Sequence, residues 1–124
     1  MKEIYDFIME CGSFFVATMD GDQARVRPFG AIDFFEDKIY IVTGKRKNVS
    51  KQMAINPKIE IAAIADDNKT WIRLEAVAVN DDRREAKQHM LDAFPELHHT
   101  ADEENFQVLY LKDIVSSNII MDGK

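Results

Sequence analysis

The stretch Ile39–Pro57, IYIVTGKRKNVSKQMAINP, sets the organisation of the chain. IYIVT is a compact, β-branched apolar run and reads as a strand. Val49 and Met53 stand four apart, the spacing of one helical face, and Asn56-Pro57 stops the helix. Between strand and helix lie Lys45, Arg46 and Lys47, with Lys51 one turn further on. A helix start has free N–H groups and about half a positive charge, so each cation there is unfavourable by roughly 0.3–1 kcal/mol. An anion seated at the helix start removes that penalty, and phosphate suits the place. Thr43 offers a hydroxyl and Gly44 lets a ligand approach the backbone. The ordinary alternative is a solvated basic turn.

The cluster is informative because the chain around it is acidic. Twenty-two Asp and Glu against 16 Lys and Arg give a formal net charge of −6. That balance argues against broad nucleic-acid binding, which needs a basic face. The 124 residues suit a single domain spanning 1–124 with one core. No apolar run approaches the ~20 residues of a membrane span, and no secretory signal is evident at MKEIYDFIMECG. The single cysteine, Cys11, supplies neither an internal disulfide nor a thiolate metal cage. A cytoplasmic protein is expected.

Outward from the opening stretch, the pattern is dominated by strands. Ile4, Phe7, Ile8 and Cys11 form a helical stripe that Gly12 ends. Ser13–Met19 (SFFVATM) reads as a buried strand and Asp20–Gln23 as a turn. Ala24–Phe35 reads as one strand, with Val26, Ile32 and Phe34 on one face and Arg25, Arg27 and Asp33 on the other. Pro28 lacks a backbone donor and makes that strand an edge, and Gly30 marks an irregularity. Lys58–Ala65 and Thr70–Val79 are further strands, the latter turning Ile72, Leu74, Ala76 and Ala78 to one side. Asp82 with Glu85 three residues on reads as a capping box before a helix with apolar Ala86, Met90, Ala93 and Phe94. Pro95–Glu104 reads as loop, and Phe106–Met121 as one long or two short strands. Six or seven strands joined mostly by turns give a mainly β, antiparallel sheet closing into a small barrel with three short helices.

Other candidates carry ordinary readings. Arg25 and Arg27 are surface arginines unless the strand edge meets a planar, electron-rich ligand. A lone Trp71 is more often core than a stacking platform. His98 and His99 are adjacent, point apart, and lack the spacing of a metal site, so no metal is expected. Arg73 and Glu75 read as a pair on the wet face. Neither a nucleophile motif nor a phosphate loop occurs. Any redox chemistry would belong to a cofactor.

The ordered set RVRPFG, a strand ending in Thr43, KRKNVSKQ before Asn56-Pro57, and WIRLEAVAV resembles the pyridoxamine 5'-phosphate oxidase-like flavoproteins, in particular their short bacterial members. The resemblance covers roughly residues 10 to 80. It implies a split-barrel homodimer with FMN at the subunit interface and a small-molecule substrate or NAD(P)H as reductant. Arg27 then contacts the flavin, and Pro28 and Phe29 lie along its ring. Val42, Thr43, Lys45 and Lys47 hold the phosphate end, with Arg46 facing elsewhere. Gln52 stands near the site, and Trp71 approaches the ring from the partner subunit. The ending SSNIIMDGK lacks the basic motif with which the family's best-known enzyme binds its pyridoxal substrate. The expectation is therefore an FMN oxidoreductase or flavin reductase rather than a vitamin B6 oxidase. The alternative is a non-catalytic flavin- or haem-binding carrier or sensor, and a colourless interaction barrel is a third reading.

Overall fold

The computed structural model describes residues 1–117. The elements run α1 (Lys2–Cys11), β1 (Phe14–Asp20), β2 (Gln23–Phe29), β3 (Ile32–Phe35), β4 (Lys38–Gly44), α2 (Asn48–Ile55), β5 (Lys58–Ile64), β6 (Trp71–Asn80), α3 (Arg84–Ala93), a single 3-10 turn at Pro95–Leu97, and β7 (Phe106–Ser116). The seven strands form one sheet in the order β2-β1-β5-β6-β7-β4-β3, with every pairing antiparallel. This is the mainly β fold expected. The final strand stays single, with a register shift against β6 between Glu75 and Val77. Its expected extension to Met121 lies outside the described residues.

The edges of this sheet, β2 and β3, are consecutive in the chain. Only Gly30 and Ala31 separate them. From Phe29 to Ile32 an extended chain reaches at most roughly 11 Å. The sheet must therefore curl until its two edges nearly meet, which makes a barrel with one unpaired seam. The sequence reading took residues 24–35 as one strand and counted alternation straight through. That count fails at the Gly30–Ala31 link. Ile32 is buried, but Val26 is 68% exposed and points away from the core. Arg27, opposite Val16 in the β1–β2 register, lies on the inward side instead. Asp33, placed on the wet face by the same count, is 3% exposed. Pro28 does sit in an edge strand, where its missing donor costs no ladder bond.

Two apolar clusters stabilise the barrel. The inner one joins Phe14, Val16, Ile32, Ile39, Ile41, Ile61, Leu74 and Leu111, with Ile8 of α1 and Val49 and Met53 of α2. The second lies under α3 and joins Tyr40, Ala86, Met90, Leu91, Phe106 and Val108. Residues 39–41 of β4 divide alternately between them, which explains why IYIV is apolar on both sides. By contrast β5 alternates strictly, with Ile59, Ile61 and Ala63 buried and Lys58, Glu60, Ala62 and Ile64 exposed. No helix among the described residues is long and apolar enough to cross a membrane.

The capping box does not form. Arg83 is the N-cap residue of α3, and no side chain caps the helix. Asp82 is drawn instead to Lys45, 2.9 Å away. The helix is fixed by a polar cluster at its start. The Tyr40 hydroxyl donates to buried Asp81 at 2.7 Å, and the Arg83 guanidinium donates to Asp81 at 3.0 Å and also reaches Glu36. On the second turn His89 meets buried Asp33 of β3 at 2.6 Å and stacks on Phe35. Of the expected apolar stripe, Ala86 and Met90 are buried, Phe94 is half-buried, and Ala93 is exposed.

Burial alone would raise the Asp81 pKa, but the bonds from Arg83 and Tyr40 outweigh it and hold the carboxyl at about 2. The usual value is ~3.9, so the stabilisation from this ionised group is full above about pH 5 and fades as pH falls through the folded value. Wild type should lose about 2 kcal/mol relative to Asp81→Asn between pH 5 and pH 2, read from urea unfolding at each pH.

Candidate functional site

The site forms beside the seam. A cleft of about 420 Å3 is lined by Arg27, Pro28, Phe29, Gly30, Ala31, Val42, Thr43, Lys47, Val49, Phe94, Glu96 and Leu97. It therefore gathers the edge strand β2, the end of β4, the mouth of α2 and the turn after α3. A second, larger cleft on the other side of Arg27 is lined by Arg25, Arg27, Lys47, Asn48, Lys51 and Gln52, among others. Six of the nine residues singled out from sequence line the first cleft: Arg27, Pro28, Phe29, Val42, Thr43 and Lys47. Gln52 lines the second, which shares Arg27 and Lys47 with the first.

Lys45 and Trp71 are placed elsewhere. Lys45 is turned to Asp82, and its amine is engaged there. Trp71 lies at the start of β6 in an apolar groove of about 390 Å3 with Cys11, Phe14, Phe15 and Ile64. Its indole N–H is buried without a hydrogen-bond partner among the described residues, and Arg73 stacks over its ring at 5.7 Å. Arg73 makes no ion pair with Glu75 among the described residues. Glu75 instead stands directly opposite Glu60 on β5. The Cys11 thiol, half-buried in the same groove, has its pKa pushed up by burial.

The basic turn is held from one side. Asn105, just before β7, accepts from the Lys45 amide through its carbonyl at 2.8 Å. Its side-chain oxygen accepts from the Arg46 amide at 2.9 Å. A Cβ at Gly44 would come within 3.0 Å of the Asn105 amide nitrogen, so glycine is what lets the clamp close. Lys47 follows as the N-cap of α2, in extended conformation and with no side-chain cap. It is exposed and has no ion pair among the described residues. A cation at an uncapped helix start is the unfavourable arrangement that the sequence pointed to. The clamp residue Asn105 escaped the sequence reading, since its partners lie some sixty positions away.

Arg27 is the unusual charge. Its Nη1 donates to the Val16 carbonyl at 3.1 Å and to the Thr18 hydroxyl at 2.8 Å, and its Nη2 donates to Gln52 Oε1 at 2.9 Å. All three acceptors are neutral. The chain is rich in carboxylates, and three of its exposed arginines use them: Arg25 with Asp20, Arg83 with Asp81 and Glu36, Arg84 with Asp102. Arg27 has no such partner among the described residues. Burial, and then the neighbouring Arg25, push its pKa below the usual guanidinium value. It nonetheless stays a cation at any physiological pH. A half-buried guanidinium without a counter-charge, next to a free lysine and a helix start, is an arrangement that can hold an anion.

Residues 1–112 match the family model described as pyridoxamine 5'-phosphate oxidase. The chain belongs to that family. No curated protein matches it. Among solved structures, this member of the pyridoxamine 5'-phosphate oxidase family is 44% identical to a NimC/NimA family protein from Clostridium acetobutylicum, over 98% of this chain and 85% of that one, with a TM-score of 0.93. It also superposes on HutZ, the haem storage protein of Vibrio cholerae, at 17% identity over 98% and 94% of the two chains, TM-score 0.74. An F420 reductase matches at 12% identity over 91% and 95%, TM-score 0.68. The last two likenesses speak to the fold.

Asn105→Ala should free the Arg46 amide and speed its hydrogen exchange about tenfold. The Lys45 amide, bonded to the backbone oxygen at position 105, should change much less. Residue-resolved exchange by NMR checks both.

Proposed function

We propose that the cleft beside the seam binds FMN and that the protein is an FMN-dependent oxidoreductase. The observation that carries this reading is the uncompensated Arg27 guanidinium sharing a cleft with Lys47 at the mouth of α2. A ligand must bring negative charge to that place, and a nucleotide phosphate brings about two negative charges. The residues fit the group in two further ways. Phe29, Val42 and Leu97 give the same cleft apolar surface for a flat ring. A Cβ at Gly30 would meet no protein atom within 4 Å, so the backbone there is open to close approach. When bound, the flavin would supply the hydride and electron transfer. The chain's own part is to grip the phosphate with Lys47 and the α2 amides and to present a fixed positive charge at Arg27.

Lys47 is the better phosphate ligand of the two lysines named from sequence, since Lys45 is spoken for by Asp82. A haem-binding carrier is less well supported, because none of the three histidines lines the cleft. His89 is engaged by Asp33 and His99 by Glu103.

The reading extends to a homodimer. Phe15, Val26, Ile64 and Val115, between 44% and 68% exposed, lie on the outward face of the β2-β1-β5-β6-β7 part of the sheet. Large side chains clustered on one face need cover. A second copy on that face would bury the Trp71 groove and bring Trp71 near the neighbouring cleft. NAD(P)H or another small reductant would then complete the reaction.

Purified protein should be yellow, with the flavin absorption bands and extractable FMN on mass spectrometry. Arg27→Ala and Lys47→Ala should each lower FMN affinity at least about tenfold, the loss of a charge-assisted contact. Lys45→Ala should leave it within about twofold. Full retention of flavin in both of the first two variants would sink the site.

A further inference from the structure

Thr18 is one of few polar side chains in the core, 2% exposed, and no signal in the sequence singles it out. It sits at the one point where Arg27 and Gln52 meet. Its hydroxyl oxygen accepts from Arg27 Nη1 at 2.8 Å, and its proton goes to Gln52 Oε1 at 2.6 Å. Gln52 Oε1 also accepts from Arg27 Nη2 at 2.9 Å. We propose that Thr18 is a positioning residue, locking Gln52 and Arg27 as a neutral–cation pair reserved for a phosphate-bearing ligand. This rests on the FMN reading of the cleft and names the device behind it.

The argument is one of donors and acceptors. A guanidinium can only donate. Gln52 must therefore turn its oxygen, and not its NH2, toward Arg27. The Thr18 proton can reach the same oxygen and holds that orientation from the other side. The Gln52 NH2 is then turned away from Arg27, on a side chain that lines the second cleft with Lys47, Asn48 and Lys51, the cleft that shares Arg27 and Lys47 with the one at the seam. Fixing the amide thus yields a neutral donor near the cations. The bonds to Val16, Thr18 and Gln52 use Nη1 and Nη2 only and set the plane of the fork. No charge is spent in doing so. A glutamate at position 52 would have made the same contact as an ion pair and satisfied Arg27 internally. The amide keeps the site's charge for a ligand.

Two ligands test this, FMN by fluorescence titration and inorganic phosphate by thermal melt. Thr18→Val keeps the shape and removes the hydroxyl, and Thr18→Ser restores it. Gln52→Glu supplies the internal counter-charge. Thr18→Val is expected to weaken FMN about tenfold, measured well below its melting temperature, with Thr18→Ser close to wild type. Gln52→Glu is expected to keep or raise the melting temperature while weakening FMN more than about tenfold and abolishing stabilisation by phosphate. A purely structural glutamine would not separate stability from affinity in that way. FMN and phosphate binding at wild-type strength in Gln52→Glu overturns the proposal, as does wild-type binding in a folded Thr18→Val. If Thr18→Val fails to fold, Gln52→Glu alone decides. Wild type that takes phosphate but not FMN overturns the flavin reading and leaves the positioning claim to the phosphate data. Wild type that responds to neither overturns both.

Discussion

The short link at Gly30–Ala31 is the constraint on which the architecture depends. It joins the two outermost strands of a seven-stranded sheet, so a flat or gently twisted sheet is not open to this chain. Closure brings β2 beside β4 and α2, elements that share no hydrogen-bonded ladder with it. The seam that remains is where backbone groups of an edge strand stay open, and edges are costly to leave bare in water. Here the edge carries Pro28 and is followed at once by Gly30, features that discourage pairing with another strand. The same features leave the edge accessible from the side. Barrel closure and the cleft are thus one geometric fact.

Electrostatics then separates the charges that stabilise the fold from those that do not. The Asp81, Arg83, Glu36 and Tyr40 cluster is internally satisfied and ties the start of α3 to the β3–β4 hairpin. Asp82 and Asn105 hold the basic turn by its Lys45 side. Across that turn the pattern changes, and Lys47 and Arg27 lack carboxylate partners among the described residues. Lys47 shares that lack with most of the exposed cations, but Arg27 is the half-buried arginine of the chain, its fork fixed on neutral acceptors. A half-buried guanidinium without a counter-charge tends to mark function, because it weakens the empty fold.

Much of this was legible in the sequence. The even-numbered apolar positions of WIRLEAVAV read directly as a one-faced strand, and the structure has them so, as it has a strand where KIEIAAIA was expected to form one. The basic turn, its helix and the stop at Asn56-Pro57 were readable from spacing and terminator chemistry. What failed was alternation carried through Gly30–Ala31: Gly30 marked an irregularity, but nothing local showed that the link joins two sheet edges and resets the side-chain period. The capping box failed for a different reason. Asp82 had a competing partner in Lys45, 37 positions earlier, and tertiary contacts outbid local ones. Thr18 and Asn105 were invisible for the same cause, each defined by partners remote in sequence. Resemblance named Arg27, but its lack of a counter-ion emerges only from the fold.

The place of β7 in the sheet has a consequence for how the protein comes to exist. It is inserted between β6 and β4, and among the described residues no other strand joins the β2-β1-β5-β6 ribbon to the β4-β3 hairpin. A polypeptide emerging from the ribosome therefore holds two separate β ribbons, tethered by the short link, until residues 106–116 are exposed. Until then β6 and β4 each show a bare flank rich in valine, isoleucine and leucine. That places the greatest exposure to chaperones and to aggregation in the interval before residues 106–116 emerge, and gives β7 the role of a zip rather than a trim.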